Sequence, residues 1–470
     1  MPMKRPLKRD APEPLPVRRD EKAPTCGCCG ESTLLLSRRT FLRRALGTAA
    51  AATFVSLFPG ALSNRPRAFA ASNAGKTLVV IFQRGGNDGL NTVVPYSDAE
   101  YYTMRPRPTA VGNGIGIPPP GSGDGAGLDL PGTGFALHPA IQPLHGLYTS
   151  GDLAIVTRAG YLGSTQSHFT DQDTLERGIF TLQDGWLNRY LKAVPASGSA
   201  NLRAAGIGYE LAASLRGQVL VPTLNNLRNL TFASLGNAKS AMESNLRALY
   251  DQDPALTTSN PFRSLVHQLG PDMLNRIAAI EAIGPAQPQN GAVYPNTGFG
   301  TQMRDLAHVI RKGLGLEIAT VDIGGWDTHE DQGGGGSFAQ SQAARLADFA
   351  GAIRAFYDDL GPSVMSNVVV MTCSEFGRTV RQNASNGTDH AKATVWFLLG
   401  GGVKGGLYHG DAGWVPKLIP ANLDQGRYIA PTVEFRDIYA DVLTKHFGAT
   451  ASELAAVLPG HVHKPVGLFG

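Results

Sequence analysis

Strands alternating with helices predict an α/β fold, with a mostly parallel sheet covered by helices on both faces. Three observations carry that expectation. Residues 77–82 form a continuous apolar, β-branched run, the pattern of a strand buried on both faces. Comparable runs recur at 153–157, 317–322, 368–372 and 395–399. Residues 337–360 show helical periodicity, with Leu346, Phe349, Ile353 and Phe356 on one face. A chain of 470 residues is long enough to bury a large core, as one domain with insertions or as two.

In chain order, residues 1–36 are basic and proline-containing and are expected to be disordered. Residues 1–70 hold 13 of the 42 Lys+Arg and 5 of the 38 Asp+Glu, a net of +8; the rest has 29 basic against 33 acidic residues. That mildly acidic remainder gives no reason to expect nucleic-acid binding. Ser37-Arg38-Arg39-Thr40-Phe41-Leu42-Arg43 resembles the twin-arginine export motif. An apolar run over 45–62 follows, and Ala68-Phe69-Ala70 fits an A-x-A cleavage site. The run is short, alanine-rich and broken by Pro59 and Gly60, so a removed signal is expected rather than a retained span. The expectation is export by the twin-arginine translocase to the periplasm or the cell exterior, with a mature start near Ala71. Cys26, Cys28 and Cys29 lie in the removed segment, which leaves Cys373 as a small buried residue and no disulfide.

After the first strand, Arg84-Gly85-Gly86-Asn87-Asp88-Gly89 reads as a sharp turn. Residues 112–134 are rich in Gly and Pro and read as a long irregular loop or hairpin excursion. Helices are expected over 139–148, 171–176, 303–312 and 433–447. Residues 71–195 and 300–470 carry the core pattern. Residues 196–299 differ in texture, with short strand-like runs at 218–221 and 230–233 and helical stretches at 239–250 and 262–283. They are expected to form an insertion or lid over the core, ending in a Gly/Pro-rich linker at 284–291.

In such sheets ligands bind outside the carboxyl ends of the strands. Asp88, Ser167, His168, Asp327, His329, Glu375, Arg378, Asp389 and His390 all fall there in the predicted order. Asp327 and His329 are two apart, which puts both on one face of an extended segment. Asp389 and His390 are adjacent and need a turn to converge. Mixed carboxylate and imidazole ligands suit zinc, manganese or iron, whereas carboxylates alone lean towards magnesium or calcium. Plainer roles exist beside these. Asp88 before Gly89 fits a turn or helix cap, Glu330 and Asp331 fit solvent, and His138, His145 and His308 fit structural positions.

The segments GGNDGLNTVVPY, SHF…ERG, GGWDTH, SEFGRT and GTDHAKA…GGGVKGG resemble the bacterial family known as domain of unknown function 1501. That family is similar to the alkaline phosphatase and sulfatase superfamily. The resemblance implies a sheet whose carboxyl edge holds one or two divalent ions: zinc, manganese, magnesium or calcium. It also implies phosphoryl or sulfuryl transfer through a Ser, Thr or modified Cys nucleophile. On that resemblance Asp88 matches the metal Asp of the first strand, and Asp327 with His329 matches one metal pair at shorter spacing. Asp389-His390 matches the dipeptide of the other metal site, and His409 is the later histidine that completes the first. Ser167 fits the nucleophile's place, with Ser164 and Thr165 as rivals; the Cys-x-Pro-Ser-Arg signature of sulfatases is absent. Asn87, His168 and Glu375 are expected around the substrate. Arg378 is expected to grip phosphate or sulfate oxygens bidentately, or else to pair with Glu375.

Two functions follow as expectations. One is an exported metal-dependent hydrolase of phosphoric or sulfuric esters. The other is a non-catalytic exported protein that keeps the fold to bind a surface polymer or a partner protein. An unambiguous nucleophile separates them.

Overall fold

The computed structural model describes residues 75–108, 114–194, 202–225, 238–250, 261–333 and 341–470. Arg38, Arg39, the three N-terminal cysteines, the cleavage site at 68–70 and the strand-like run at 230–233 lie outside the described residues.

From β1 (Thr77–Gln83) the chain enters three short strands, β2 (Val93–Val94), β3 (Leu128–Leu130) and β4 (Phe135–Leu137). These pair apart from the main sheet, antiparallel, in the order β2-β4-β3. The loop or hairpin excursion expected over 112–134 contains β3 and the turn that joins it to β4 in an antiparallel hairpin. The main sheet continues with β5 (Leu153–Gly160), β6 (Ala204–Ile207), β7 (Thr223–Leu224), β8 (Ile318–Ile323) and β9 (Val368–Cys373). It is completed by β10 (Thr394–Gly400), β11 (Gly406–Tyr408) and β12 (Val433–Glu434). Its order is β11-β5-β10-β9-β1-β8-β6-β7, with β12 also on β5. All pairings are parallel except those of β10, which runs antiparallel to both β5 and β9. The sheet is thus mixed and mostly parallel.

Helices cover both faces because the central strands are apolar on both. Val79, Ile81, Val321, Val370 and Phe397 face one layer of core; Leu78, Val80, Met371, Trp396 and Leu398 face the other. The first layer meets α3 (Gln142–Thr149), α8 (Gly298–Arg311) and α9 (Gln342–Met365), through Leu144, Met303, Leu346, Phe349 and Phe356 among others. The second meets α5 (Trp186–Ala193) and α10 (Phe435–Asp441), where Trp186 stacks on Tyr439 with ring centroids 4.1 Å apart. Each such side chain, fully buried, contributes about 1.5–3 kcal/mol relative to exposure. The remaining helices are α1 (Gly89–Thr92), α2 (Ala99–Met104), α4 (His168–Arg177), α6 (Lys239–Tyr250), α7 (Pro261–Ala282) and α11 (Ala451–Val457). No helix among the described residues is long and apolar enough to cross a membrane.

The stretch 196–299 is not all separate from this core. Its residues 204–207, a fully buried AAGI, form β6 beside β8, and β7 extends the sheet edge further. Ile280 of α7 is buried in the same core layer as Met303 and Phe349. A four-residue apolar run between glycines and polar residues carries too little periodicity to be read as a strand from sequence.

The reversed β10 matters for the site. The segment 374–393 leaves the carboxyl end of β9 and enters β10 at the same rim. Residues placed there lie beside the loops that follow β1, β5 and β8.

Candidate metal centre

Four loops meet at that rim, and main-chain bonds tie them together. Arg84 N donates to Ile323 O at 2.9 Å, which joins the β1 and β8 exits. Gly85 N donates to Glu375 Oε1 at 2.8 Å, which joins the β1 and β9 exits. In the β9–β10 segment, Arg378 and His390 form an isolated antiparallel bridge, and Thr379 N donates to Asp389 O at 2.9 Å. The β5 exit is held by Asp171 of α4, a fully buried carboxylate. It accepts from the Tyr161 and Ser164 hydroxyls at 2.5 and 2.7 Å, from Thr165 N and Oγ1, and from Gln166 N. This clasp keeps Gln166 at φ +62°, with its carbonyl turned to His390.

These loops bring three imidazoles onto one carboxylate. Asp327 Oδ1 is 3.0 Å from His329 Nε2 and 3.1 Å from His390 Nε2, and Asp327 Oδ2 is 3.4 Å from His168 Nε2. The Nε2 atoms of His329 and His390 are 3.0 Å apart. Phe376 packs against both His168 and His390, with ring centroids 4.9 and 4.6 Å away. Gly325, Asp327, Thr328, His329 and Glu330 line an open depression at this point.

The opposite nitrogen of each ring is fixed by an oxygen. His168 Nδ1 is 2.8 Å from Glu375 Oε1, His329 Nδ1 is 3.2 Å from Asp389 Oδ1, and His390 Nδ1 is 2.8 Å from Gln166 O. Burial works against charge on Glu375 and Asp389, but their hydrogen-bond donors outweigh it and hold both carboxyls below the usual range. An ionised carboxylate and a carbonyl only accept. Each Nδ1 therefore donates, and in a neutral ring the Nε2 on the side of Asp327 is left as a lone pair. Oxygen acceptors behind imidazoles are the usual support of metal-bound histidines. Burial also opposes charge on Asp327, but the Arg378 hydrogen bond and charge hold it at about 2. The His168 ring is raised by its hydrogen bond to Glu375, while burial lowers His390. His168 Nε2 is buried and makes no hydrogen bond.

The donor set fits a divalent ion. One ring nitrogen each of His168 and His390 and a carboxylate oxygen of Asp327 lie within 4.8 Å of one another. His329 joins this group through Asp327 and His390.

Several expected site residues play other parts. Asp88 does not join the cluster. Its Oδ1 caps α1, accepting from Leu90 N and Asn91 N, and its Oδ2 accepts from Arg105 Nη1 at 2.7 Å and Gln332 Nε2 at 2.6 Å. Asp389 backs His329 rather than joining the cluster beside His390. In the extended bridge the adjacent side chains diverge and meet opposite nitrogens of the same His329 ring. His409 Nδ1 is 2.6 Å from Thr157 Oγ1, and its ring packs on Phe135 and Trp414, away from the cluster.

Arg378 pairs with Asp327, not Glu375, and has no exposed side-chain surface. Its donors go to Gly86 O, Thr388 O, Gly85 O, Trp326 O and Asp327 Oδ1, so its guanidinium is not presented to a substrate. Glu375 and Asn87 are both buried. Asn87 Oδ1 accepts from Thr92 Oγ1 at 3.0 Å. His168, expected beside the substrate, is one of the converging imidazoles. Ser167 N-caps α4 without a side-chain hydrogen bond, next to His168. Its rivals Ser164 and Thr165 both donate to Asp171.

Sequence reasoning missed Gln166, Asp171 and Phe376. Phe376 in SEFGRT stood beside two residues that were singled out; a backbone carbonyl such as that of Gln166 has no letter to find.

A family model described as protein of unknown function (DUF1501) matches residues 167–458, which include His168, Asp327, His329 and His390 but not Asp88. No curated protein matches the chain.

Proposed function

The chain belongs to the DUF1501 family, and from that premise we propose that it is an exported, metal-dependent hydrolase of phosphoric or sulfuric esters, with a fold of the alkaline phosphatase and sulfatase type. The observation that supports this reading is the convergence of His168, His329 and His390 on Asp327 beside an open depression. A divalent ion held there supplies charge neutralisation to the transferred group. Ser167 is the candidate nucleophile, since of the three neighbouring hydroxyls it is the one not donated to Asp171. Its Oγ attacks phosphorus or sulfur, the alcohol leaves, and water restores the serine. The 196–299 stretch, apart from β6, β7 and the part of α7 that packs in the core, is the candidate lid. Export rests on Arg38 and Arg39, and the twin-arginine translocase is the partner that this motif implies.

The non-catalytic reading draws on one observation. Arg378 is fully engaged by protein acceptors, so it offers no clamp for an anionic ester.

The test is hydrolysis of aryl phosphates, phosphodiesters and aryl sulfates by the metal-loaded exported protein. One class is expected to be cleaved. Ser167→Ala is expected to keep its metal and lose activity by roughly 10³-fold or more. Metal-loaded protein that cleaves none of them supports the binding role instead. Arg38→Lys with Arg39→Lys should leave the precursor in the cytoplasm; unchanged export would remove the localisation claim.

A further inference from the structure

We infer that the centre holds a single transition-metal ion, ligated by the imidazoles of His168, His329 and His390 and the carboxylate of Asp327, and is neither a two-ion centre nor a magnesium or calcium site. This rests on the metal reading above, but not on the reaction assigned to it.

The count follows from what the other candidates do. A second ion needs a second ligand group. Asp88 has both oxygens committed to a helix N-terminus, Arg105 and Gln332. Asp389 is the acceptor behind His329 Nδ1 and also takes Asn383 Nδ2 at 3.1 Å. His409 sits against Thr157, Phe135 and Trp414. Among the described residues, His168, Asp327 and His390 form the one set of three or more metal-ligating side chains with donor atoms this close together.

The identity follows from the ligand chemistry. Calcium takes six to eight oxygens, and magnesium keeps several waters and gains little from nitrogen. Three neutral imidazoles with one carboxylate suit zinc, manganese, iron or cobalt. The spacing agrees. Ligand atoms ~2.0–2.1 Å from a tetrahedral zinc stand about 3.3–3.4 Å apart; four of the six pairs stand 3.0 to 3.4 Å apart, with His168 on the second oxygen of Asp327, and His329 enters the set through Asp327 and His390 rather than through His168. The electrostatics agree as well. The Nε2 atoms of His329 and His390 face each other at 3.0 Å, and in neutral rings that donate from Nδ1 both are acceptors. Two acceptors at that distance repel unless a cation or proton stands between them. The Nε2 of His168 is also buried without a hydrogen bond, 3.4 Å from Asp327 Oδ2.

Metal-stripped full-length protein, dialysed separately against zinc, manganese, magnesium and calcium, tests this by metal analysis. One zinc or manganese per chain is expected, retained against a large excess of magnesium or calcium. Cobalt(II) loading should give visible bands of a nitrogen-coordinated ion. His329→Gln and His390→Gln should each lower affinity by roughly 100-fold, and Glu375→Gln and Asp389→Asn by about 10–100-fold. His409→Ala should still bind one ion. Circular dichroism of each variant separates lost ligands from lost folding. Two ions per chain, preference for magnesium or calcium, or no bound ion overturns the inference. One ion without ester cleavage leaves it standing and removes the hydrolase reading; ester cleavage with two ions does the reverse.

Discussion

Arg378 Nη2 donates to Asp327 Oδ1 at 2.6 Å, and the pair spans the boundary between core and solvent: the arginine side chain is 0% exposed and the carboxylate 45%. The arginine also binds carbonyls of the β1, β8 and β9 exits, so it is the knot of the rim. Replacing it leaves Asp327 without its counter-charge and several buried carbonyls without donors.

Arg378→Met is therefore expected to cost about 3–5 kcal/mol of stability, chiefly through the buried carbonyls left without donors, and to abolish metal binding. Chemical denaturation and metal analysis read both effects. An arginine whose job was to hold substrate would instead leave stability unchanged and raise KM.

The second prediction concerns Asp88 and Arg105, a pair with no exposed side-chain surface on either partner. Arg105 also donates to the carbonyls of Thr379 and Val380, next to Arg378. Arg105→Met strands a buried carboxylate and should destabilise by about 3–5 kcal/mol. The double variant Arg105→Met/Asp88→Asn should recover part of that loss. Asp88→Asn alone should keep the wild-type metal stoichiometry. Loss of the ion in that variant, with folding intact, would return Asp88 to the ligand set.

These two aspartates show where sequence reading succeeds and where it stops. β1, β8 and β9 were legible because strands buried on both faces leave unbroken apolar runs. The direction of β10 was not, since VWFLL reads alike in either polarity, and that direction puts Asp389 and His390 on the right rim. Asp327 and Asp88 look the same as letters, each an acidic residue in a glycine-rich turn after a strand. Their difference lies in Arg378 and Arg105, partners supplied from 51 and 17 residues away. The support of His390 comes from a main-chain carbonyl, and that of His329 from a residue expected to be a ligand. Residue types singled out the cluster; which side chains converge on Asp327 and which stand behind them needed the fold.

A third prediction follows from two histidines outside the site. Burial pushes His138 and His446 down to about 4. In the unfolded chain each takes up a proton near pH ~6.5. Between those values the unfolded state binds more protons, so stability falls as pH drops from about 6.5 to about 4. Full titration of each costs roughly 3 kcal/mol. His138 Nδ1 accepts from Ala140 N at 3.0 Å, and the Asn side chain keeps a cap acceptor there. Urea denaturation across this pH range should show a shallower slope for His138→Asn, by about one proton. An unchanged slope would mean that His138 titrates normally in the folded protein.

Gly85 carries the last prediction, because it touches three parts of the rim at once. Its amide donates to Glu375, its carbonyl accepts from Arg378, and its φ is +121°. A Cβ built on it would stand 2.6 Å from Asp327 N and 3.0 Å from the carbonyl carbon of Trp326. Those are main-chain atoms, so relief requires the Trp326-Asp327 segment to move, and with it the carboxylate on which the imidazoles converge. The backbone strain alone is worth about 1–3 kcal/mol. Gly85→Ala is expected to lose at least that much stability and to weaken metal binding by 10-fold or more. Gly75→Ala is the control: its φ is +88° but nothing lies within 4 Å of the added Cβ, so it should lose some stability and keep the metal. Denaturation curves and metal titration of the two variants separate strain from displacement. If Gly85→Ala binds metal as tightly as Gly75→Ala, the position of Asp327 does not depend on close contact with the β1 exit, and the rim is looser than these contacts require.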